Sequence, residues 1–140
     1  MKRNPLFLGL AFVTLMAVAT SCTCKGQFLS VHHYIANNSG HEVTLTSDRK
    51  TVTIANDSTA YIGEAFSDGV YPNMEFLFGD TLCMVLDDTI RYSFRRCTAP
   101  YDSVLKVRNP YHPINWMYFV DSSLENTWHL TFTVDEDFGE

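Results

Sequence analysis

Apolar and polar residues alternate along most of this chain, and the alternation is clearest near its carboxyl end. A period of two is typical of a β-strand that buries one of its faces. We therefore predict a strand over residues 127–134 whose apolar set faces the core, while the polar set between them faces outward. The apolar set is Trp128, Leu130, Phe132 and Val134, and the polar set is His129, Thr131 and Thr133.

Further strand-like segments follow one another at intervals of roughly ten residues, separated by turn-forming residues. They cover residues 28–37, 41–46, 51–54, 59–66, 81–86, 89–94, 103–107 and 115–120. No helical period of useful length follows Cys22. The pattern predicts an all-β fold, an antiparallel β-sandwich that is Ig-like or related, formed by a single domain over residues 28–140.

The segments 81–86 and 89–94 predict a hairpin that turns at Asp87-Asp88. This register places Cys83 opposite Tyr92, on an apolar face, so we expect Cys83 to be buried. It also places Cys97 about 17 Å further along the strand. A disulfide needs Cα atoms within about 7 Å, so we predict that Cys83 and Cys97 are not bonded to each other.

The amino terminus has the features of a signal peptide. Lys2 and Arg3 precede an uncharged apolar run over residues 6–19, and small residues follow that run. A helix of this length spans about 21 Å, which is less than the roughly 30 Å of a bilayer's hydrocarbon core. Residues 1–21 are therefore predicted to be a cleaved signal peptide rather than a membrane-spanning helix.

Two cleavage positions fit this segment. Ala17-Val18-Ala19 is an A-x-A site, which would release a soluble chain beginning at Thr20. Residues 19–22, with the sequence ATSC, resemble a lipobox, in which the cysteine is lipidated and becomes the first residue. We favour lipidation of Cys22, followed by a polar tether over residues 22–27. The pairing of Cys24 remains open, because lipidation of Cys22 leaves an odd number of cysteines.

Several segments together resemble the small lipoproteins that are common in Bacteroidota. The resemblance rests on the ATSC signal, on the sequence VLDDTI over residues 85–90 and on residues 130–138. It implies a palmitate-bearing protein of the outer membrane and implies no activity. In such proteins, acidic residues soon after the lipidated cysteine accompany export to the cell surface. Residues 23–27 contain none, so the resemblance implies the periplasmic side of the outer membrane.

Composition narrows the classes of partner and chemistry. The formal net charge is −6, and no basic stripe is present, so we expect no binding to nucleic acid. Adjacent histidines on a strand, such as His32 and His33, point to opposite faces and do not share a metal ion. No catalytic motif and no glycine-rich phosphate loop occurs. We therefore expect no metal, no cofactor and no enzymatic activity.

Residues 115–120 are apolar at almost every position, which favours a central strand covered on both faces. In the alternative, one face of this strand meets a ligand or partner. An aromatic platform would then lie beside the loop over residues 109–113, since aromatic rings stack on sugars and anchor protein interfaces. The residues of this platform would be Tyr111, His112, Trp116 and Tyr118.

Four tripeptides resemble the O-glycosylation sequon of exported Bacteroidota proteins, in which Asp precedes the modified Ser or Thr. The same pattern is also what a turn followed by a strand requires. The candidate residues are Ser58, Thr81, Thr89 and Ser103.

These observations lead to one expectation for function. We expect an envelope lipoprotein, held at a membrane by its lipid, that acts as a non-enzymatic binding module for a protein, peptide or glycan. A purely structural envelope component is the first alternative, and a hydrolase with an unrecognised site is the second.

Overall fold

The computed structural model describes residues 29–67, 69–96, 98–102, 107–120 and 127–138. The all-β prediction is confirmed for these residues, which form ten strands, one short helix and one 3₁₀ turn. The strands are β1 (Leu29–Asn38), β2 (Val43–Thr46), β3 (Thr51–Ile54), β4 (Ser58–Ser67), β5 (Thr81–Leu86), β6 (Ile90–Arg95), β7 (Tyr101–Asp102), β8 (Val107–Arg108), β9 (Trp116–Val120) and β10 (Thr127–Asp135). Helix α1 covers Met74–Phe78, and the 3₁₀ turn covers Pro113–Asn115.

The strands form two four-stranded sheets and one small hairpin. The first sheet has the order β4-β1-β10-β9, the second has the order β3-β2-β5-β6, and β7 pairs with β8. Strands β1 and β10 pair in parallel at the centre of the first sheet, with Ile35 level with Phe132. The expectation of purely antiparallel pairing is therefore wrong. Alternation along one strand fixes which face is buried but carries no information about the direction of its neighbour.

The core contains residues from both four-stranded sheets in one hydrophobic cluster. In β10 the predicted phase is confirmed, since Leu130, Phe132 and Val134 are buried while Thr131 and Thr133 are only partly covered. Trp128 is half-buried rather than buried. Inward residues of β1, such as Val31 and Ile35, lie at 0% exposure beside them. The first and last of the described strands therefore pack into the same apolar layer.

The hairpin of β5 and β6 differs from the prediction by one residue. Asp87 and Asp88 both have positive φ, at 46° and 58°, and Thr89 adds a third residue to the loop. Leu86 therefore pairs with Ile90, and Cys83 pairs with Ser93 instead of Tyr92. A slip of one residue exchanges the two faces of a strand, so the buried alternate residues of β5 are Leu82, Met84 and Leu86.

The cysteine prediction changes with this register. Cys83 is half-buried rather than buried, and it is a free thiol. Cys97 lies outside the described residues. Residues 103–106 of the strand predicted over 103–107 lie outside the described residues. Val107 belongs to β8 and pairs with Asp102 of β7 in antiparallel orientation.

Helix α1 has no counterpart in the sequence prediction. The side chain of Asn73 accepts a hydrogen bond from the backbone N–H of Phe76, and Glu75 lies in the first turn. Asn is a favoured N-cap residue, and an acidic residue in the first turn interacts well with the helix dipole. The helix is only five residues long, which is too short for a helical period to be visible in the sequence.

Two buried asparagines fix loops to the sheets. Asn37, fully buried at the end of β1, donates from Nδ2 to the carbonyl oxygens of His41 (2.8 Å) and Ile54 (2.9 Å). Asn109 donates from Nδ2 to the carbonyl of Arg95 (2.8 Å) and accepts from the N–H of Tyr111 (3.0 Å). Buried polar groups are costly unless they are bonded, so these contacts determine the paths of the loops that they hold.

The predicted signal peptide, the predicted tether and Cys22 lie outside the described residues. Among the residues that are described, no helix has the length and apolar character needed to cross a membrane.

Candidate functional site

The four residues of the predicted aromatic platform do not present their rings on one exposed surface. Trp116 is buried at the inner face of the first sheet, and its Nε1 donates to the carbonyl of Pro110 at 2.7 Å. Tyr111 is also buried, and its hydroxyl donates to the carbonyl of Gly79 at 2.7 Å. Burial raises the pKa of Tyr111 to about 12. Both rings therefore belong to the core, and the polar atom of each donates a hydrogen bond to a backbone carbonyl within the protein.

The other two platform residues lie in different places. His112 is half-exposed, and its Nε2 lies 2.5 Å from the carbonyl oxygen of Thr98. Together with Tyr111 it borders a shallow cleft of about 330 Å³, whose other wall includes Glu75 and Arg96. Tyr118 is exposed on β9, where its ring lies 5.6 Å from that of Trp128.

Strand β9 itself is an edge strand of the first sheet and not a covered central one. Its last four residues are exposed although all of them are apolar or aromatic: Met117, Tyr118, Phe119 and Val120. The prediction of a strand covered on both faces is therefore wrong, because that prediction used apolar content alone. The alternative, in which one face of this strand meets a ligand or partner, stays a prediction.

The outer face of the first sheet carries aromatic side chains from all four of its strands. We call this group the aromatic face; it consists of His32, Tyr34, Tyr61, Phe119 and His129. Strand pairing brings them together, since His32 is level with His129 and His129 is level with Phe119. Tyr34 is level with Tyr61 on the other side of β1.

The rings of the aromatic face are stacked on one another. The ring centroid of His129 lies 4.7 Å from that of Phe119, and the two ring planes are inclined by 11°. The centroid of His129 lies 5.5 Å from that of Tyr34, with an interplanar angle of 14°. His32 stacks on His129 at 5.3 Å, and Tyr61 is tilted against both His32 and Tyr34. Cross-strand aromatic pairs of this kind stabilise a sheet by up to about 1 kcal/mol each. The stacking therefore holds the rings in a fixed arrangement.

A few polar groups border the aromatic face. Glu64 accepts a hydrogen bond from the hydroxyl of Ser30 and lies 3.7 Å from Nε2 of His32. Nε2 of His129 is buried between its stacked neighbours and has no hydrogen-bond partner among the described residues. None of the described residues on this face of the four strands is Lys or Arg.

His33, next to His32 in sequence, lies on the opposite face of β1 and is fully buried. This arrangement confirms that the two histidines do not point to a common site. Its Nδ1–H donates to the carbonyl of Gly63 at 3.2 Å, and its Nε2 accepts from the backbone N–H of Asn73 at 3.0 Å. Burial lowers the pKa of His33 from 6.5 to about 4. The imidazole is therefore neutral and connects β1 to the start of helix α1.

The described residues contain no group of three His, Cys, Asp or Glu side chains that would hold a metal ion. Three of the candidate glycosylation residues, Ser58, Thr81 and Thr89, are exposed at strand ends or in a turn. Ser103 and Cys22, the predicted lipidation residue, lie outside the described residues.

Sequence reasoning missed the aromatic face, although a signal for it is present. The outward positions of β1 and β10 include His32, Tyr34 and His129, where a solvent-facing strand usually has charged residues. A comparison with known proteins finds no match, whether to a family model, to a curated protein or to a solved structure.

Proposed function

We propose that this protein is a lipid-anchored protein of the bacterial cell envelope that binds another protein through the aromatic face. The observation that carries the proposal is the exposure of aromatic side chains across the full width of a four-stranded sheet. Tyr61 and Phe119 are exposed there, and Met117 and Phe66 extend the apolar surface on either side. Exposed apolar surface of this extent is typical of interaction sites.

The composition of the face favours a protein partner over a glycan. Tyr, Phe and Met are enriched in protein interfaces, whereas charged residues are depleted from interface centres. Sugars, by contrast, stack on free ring faces. Here His129 is stacked against both Phe119 and Tyr34, so much of the ring surface is already in contact with other rings. Rigid aromatic anchors are also the side chains that contribute most to protein binding.

We further infer that the two four-stranded sheets pack as a sandwich. The support is the single hydrophobic cluster, which includes Ile35 and Phe132 of the first sheet and Leu45 and Met84 of the second. In a sandwich the inner faces form the core and the outer faces are free for recognition. The aromatic face is an outer face of this kind.

Anchoring at Cys22 rests on the lipobox-like sequence and on the resemblance to envelope lipoproteins. The outer membrane, on its periplasmic side, is the location that we propose. The test is the mass of the mature amino terminus, together with labelling by a palmitate analogue. We expect diacylated and N-acylated Cys22, and loss of the label in Cys22→Ser. A free amine at Thr20 would refute the anchor.

The binding proposal is tested by photocrosslinking in living cells of the producing bacterium. Benzoylphenylalanine replaces Tyr61 in one variant and Tyr101 of β7 in the matched control, since the two tyrosines are 51% and 50% exposed. We expect a discrete adduct with one envelope protein from position 61, and no such adduct from position 101. Adding Phe119→Ser should weaken the adduct at position 61, because it removes a neighbouring anchor.

Two results would refute the binding proposal. The first is the absence of an adduct at position 61, which would favour a purely structural role. The second is an adduct at position 61 that Phe119→Ser leaves unchanged, because the partner would then not use the aromatic face as a unit.

A further inference from the structure

The described residues at the end of the first sheet where β1 begins are apolar or uncharged. At the end where β1 begins, Leu29 is level with Ser67, Ser30 with Phe66 and Thr127, and Val31 with Trp128. Val120 of β9 lies beside Trp128. None of the described sheet residues at these three levels is charged. We call this the anchor-side end and define it by Leu29, Ser30, Phe66, Val120 and Trp128.

The anchor-side end exposes apolar side chains. Phe66 is 69% exposed and Val120 is 50% exposed, while Leu29 and Trp128 are half-buried. Aromatic and aliphatic side chains in such a position are costly to leave in water. Trp, Phe and Leu are also the residues that insert into the boundary between the headgroups and acyl chains of a bilayer.

The opposite end of the same sheet is acidic. There Asn38 is level with Asp135, and Asp57 immediately precedes the first residue of β4. Asp87 lies at this end too, because its carboxylate contacts Nδ1 of His41 and the backbone N–H of Glu42. We call this the acidic end; its carboxylates are Asp57, Asp87, Asp88, Asp135 and Glu136. A surface that carries anionic lipid attracts basic groups and repels carboxylates.

We propose that the anchor-side end of the first sheet rests on the bilayer that holds the lipid of Cys22, an inference that rests on the anchor in the proposed function. Residues 22–28, at about 3.4 Å each when fully extended, hold Leu29 within about 24 Å of the anchored cysteine. The exposed apolar side chains of Phe66 and Val120 face the lipid, and the acidic end points away from it. The strands then stand upright on the membrane, and the aromatic face is directed sideways, toward neighbours in the same membrane.

Trp128 provides a built-in reporter for this contact. The full-length chain is processed in cells, purified in detergent and reconstituted into vesicles of phosphatidylethanolamine and phosphatidylglycerol, with or without brominated phosphatidylcholine. We expect the brominated lipid to quench tryptophan fluorescence. Trp128→Phe should abolish the quenching and Trp116→Phe should preserve it, because Trp116 is buried further from the anchor-side end.

A matched pair of charge substitutions tests the orientation. Phe66→Asp places a carboxylate at the anchor-side end, and Ile90→Asp places one at an apolar residue of 46% exposure near the acidic end. We expect Phe66→Asp to remove most of the quenching and Ile90→Asp to leave it unchanged. Phe66→Ser, which adds no charge, should reduce the quenching as well. Circular dichroism verifies that each variant is folded.

The outcomes separate this inference from the proposed function. Vesicle flotation and the mass of the amino terminus report the anchor independently of the quenching. A lipidated chain that floats with vesicles but shows no quenching of Trp128, or equal effects of the two Asp substitutions, overturns the orientation and leaves the anchor in place. A chain without lipid on Cys22 overturns both.

Discussion

His33 should make the stability of this protein depend on pH. Its imidazole is neutral in the folded chain, with Nδ1–H bonded to Gly63 and Nε2 accepting from the N–H of Asn73. Protonation of Nε2 would bring its new N–H against the backbone N–H of Asn73, so that two donors face each other. It would also place a positive charge inside the core. Burial accordingly lowers the pKa of His33 to about 4, whereas the unfolded chain has the ordinary value of 6.5.

The sign and size of the effect follow from these two pKa values. Between pH 6.5 and 4 the unfolded chain binds a proton at His33 that the folded chain does not bind, so stability falls as the pH falls. One pKa unit corresponds to about 1.4 kcal/mol, so the whole shift corresponds to about 3 kcal/mol. That is a large part of the total stability of a domain of this size.

The ionisation of Asp87 does not affect stability in the pH range over which His33 acts. The hydrogen bond from His41 lowers the pKa of Asp87 below its ordinary value of 3.8. The stability linked to a carboxylate with a lowered pKa is present above the ordinary pKa and is lost as the pH falls through the folded value. The contribution of Asp87 therefore decreases only at pH values below those at which His33 acts.

Urea melts from pH 4 to pH 7.5 measure the effect on the mature chain without its lipid. We expect the free energy of unfolding to decline by about 3 kcal/mol toward pH 4 in the parent. In His33→Gln, which retains a donor and an acceptor but does not titrate, the decline should be largely absent. His112→Gln changes a half-exposed histidine and should leave the decline in place. A parent that is equally stable at pH 4.5 and pH 7, or a His33→Gln variant with the parent slope, would refute the reasoning.

Three further predictions concern the core and can be checked by urea melts at pH 7. Phe132→Ala should lower the free energy of unfolding by about 3–5 kcal/mol because it empties a fully buried site, whereas Thr131→Ala on the outer face should cost less than about 1 kcal/mol; equal midpoints would contradict the phase of β10. Asn37→Ala should cost about 1–3 kcal/mol because it removes the amide's hydrogen bonds to the carbonyl oxygens of His41 and Ile54, and an unchanged midpoint would mean that water replaces the amide. Gly63→Ala should cost more than about 1 kcal/mol, since φ is +154° and the added Cβ would lie 2.7 Å from Cδ2 of Leu77; a stability equal to the parent's would show that Leu77 moves aside easily.

Much of the secondary structure was predictable because it depends on local periodicity. The phase of β10 and the opposite faces of His32 and His33 follow directly from the alternation of side chains along a strand. The register of the β5–β6 hairpin was not predictable in this way. Both Asp87 and Asp88 adopt positive φ, and Thr89 joins the loop, so the two strands are offset by one residue. Turn type decides such an offset, and several turn types accept Asp.

The candidate site was less predictable than the fold. Trp116 and Tyr118 are two residues apart on one strand, yet the first is buried and the second is exposed. The difference arises because β9 is an edge strand, and the half of it that follows Trp116 is not packed against the core. Whether a strand lies at an edge is decided by the assembled sheet. The aromatic face depends in the same way on pairing, because Tyr34, Tyr61, Phe119 and His129 lie far apart in sequence.

The sequence by itself determined the all-β class and the phase of the most regular strand, and the proposed lipid anchor at Cys22 rests on it alone. Each of these depends on residues close together along the chain, where sterics and side-chain alternation act locally. Only the tertiary structure decided the parallel pairing of β1 with β10, the edge position of β9 and the stacking of His129 between Phe119 and Tyr34. These features depend on which strands become neighbours, and that choice is made by the burial of apolar surface across the whole domain rather than by any one segment.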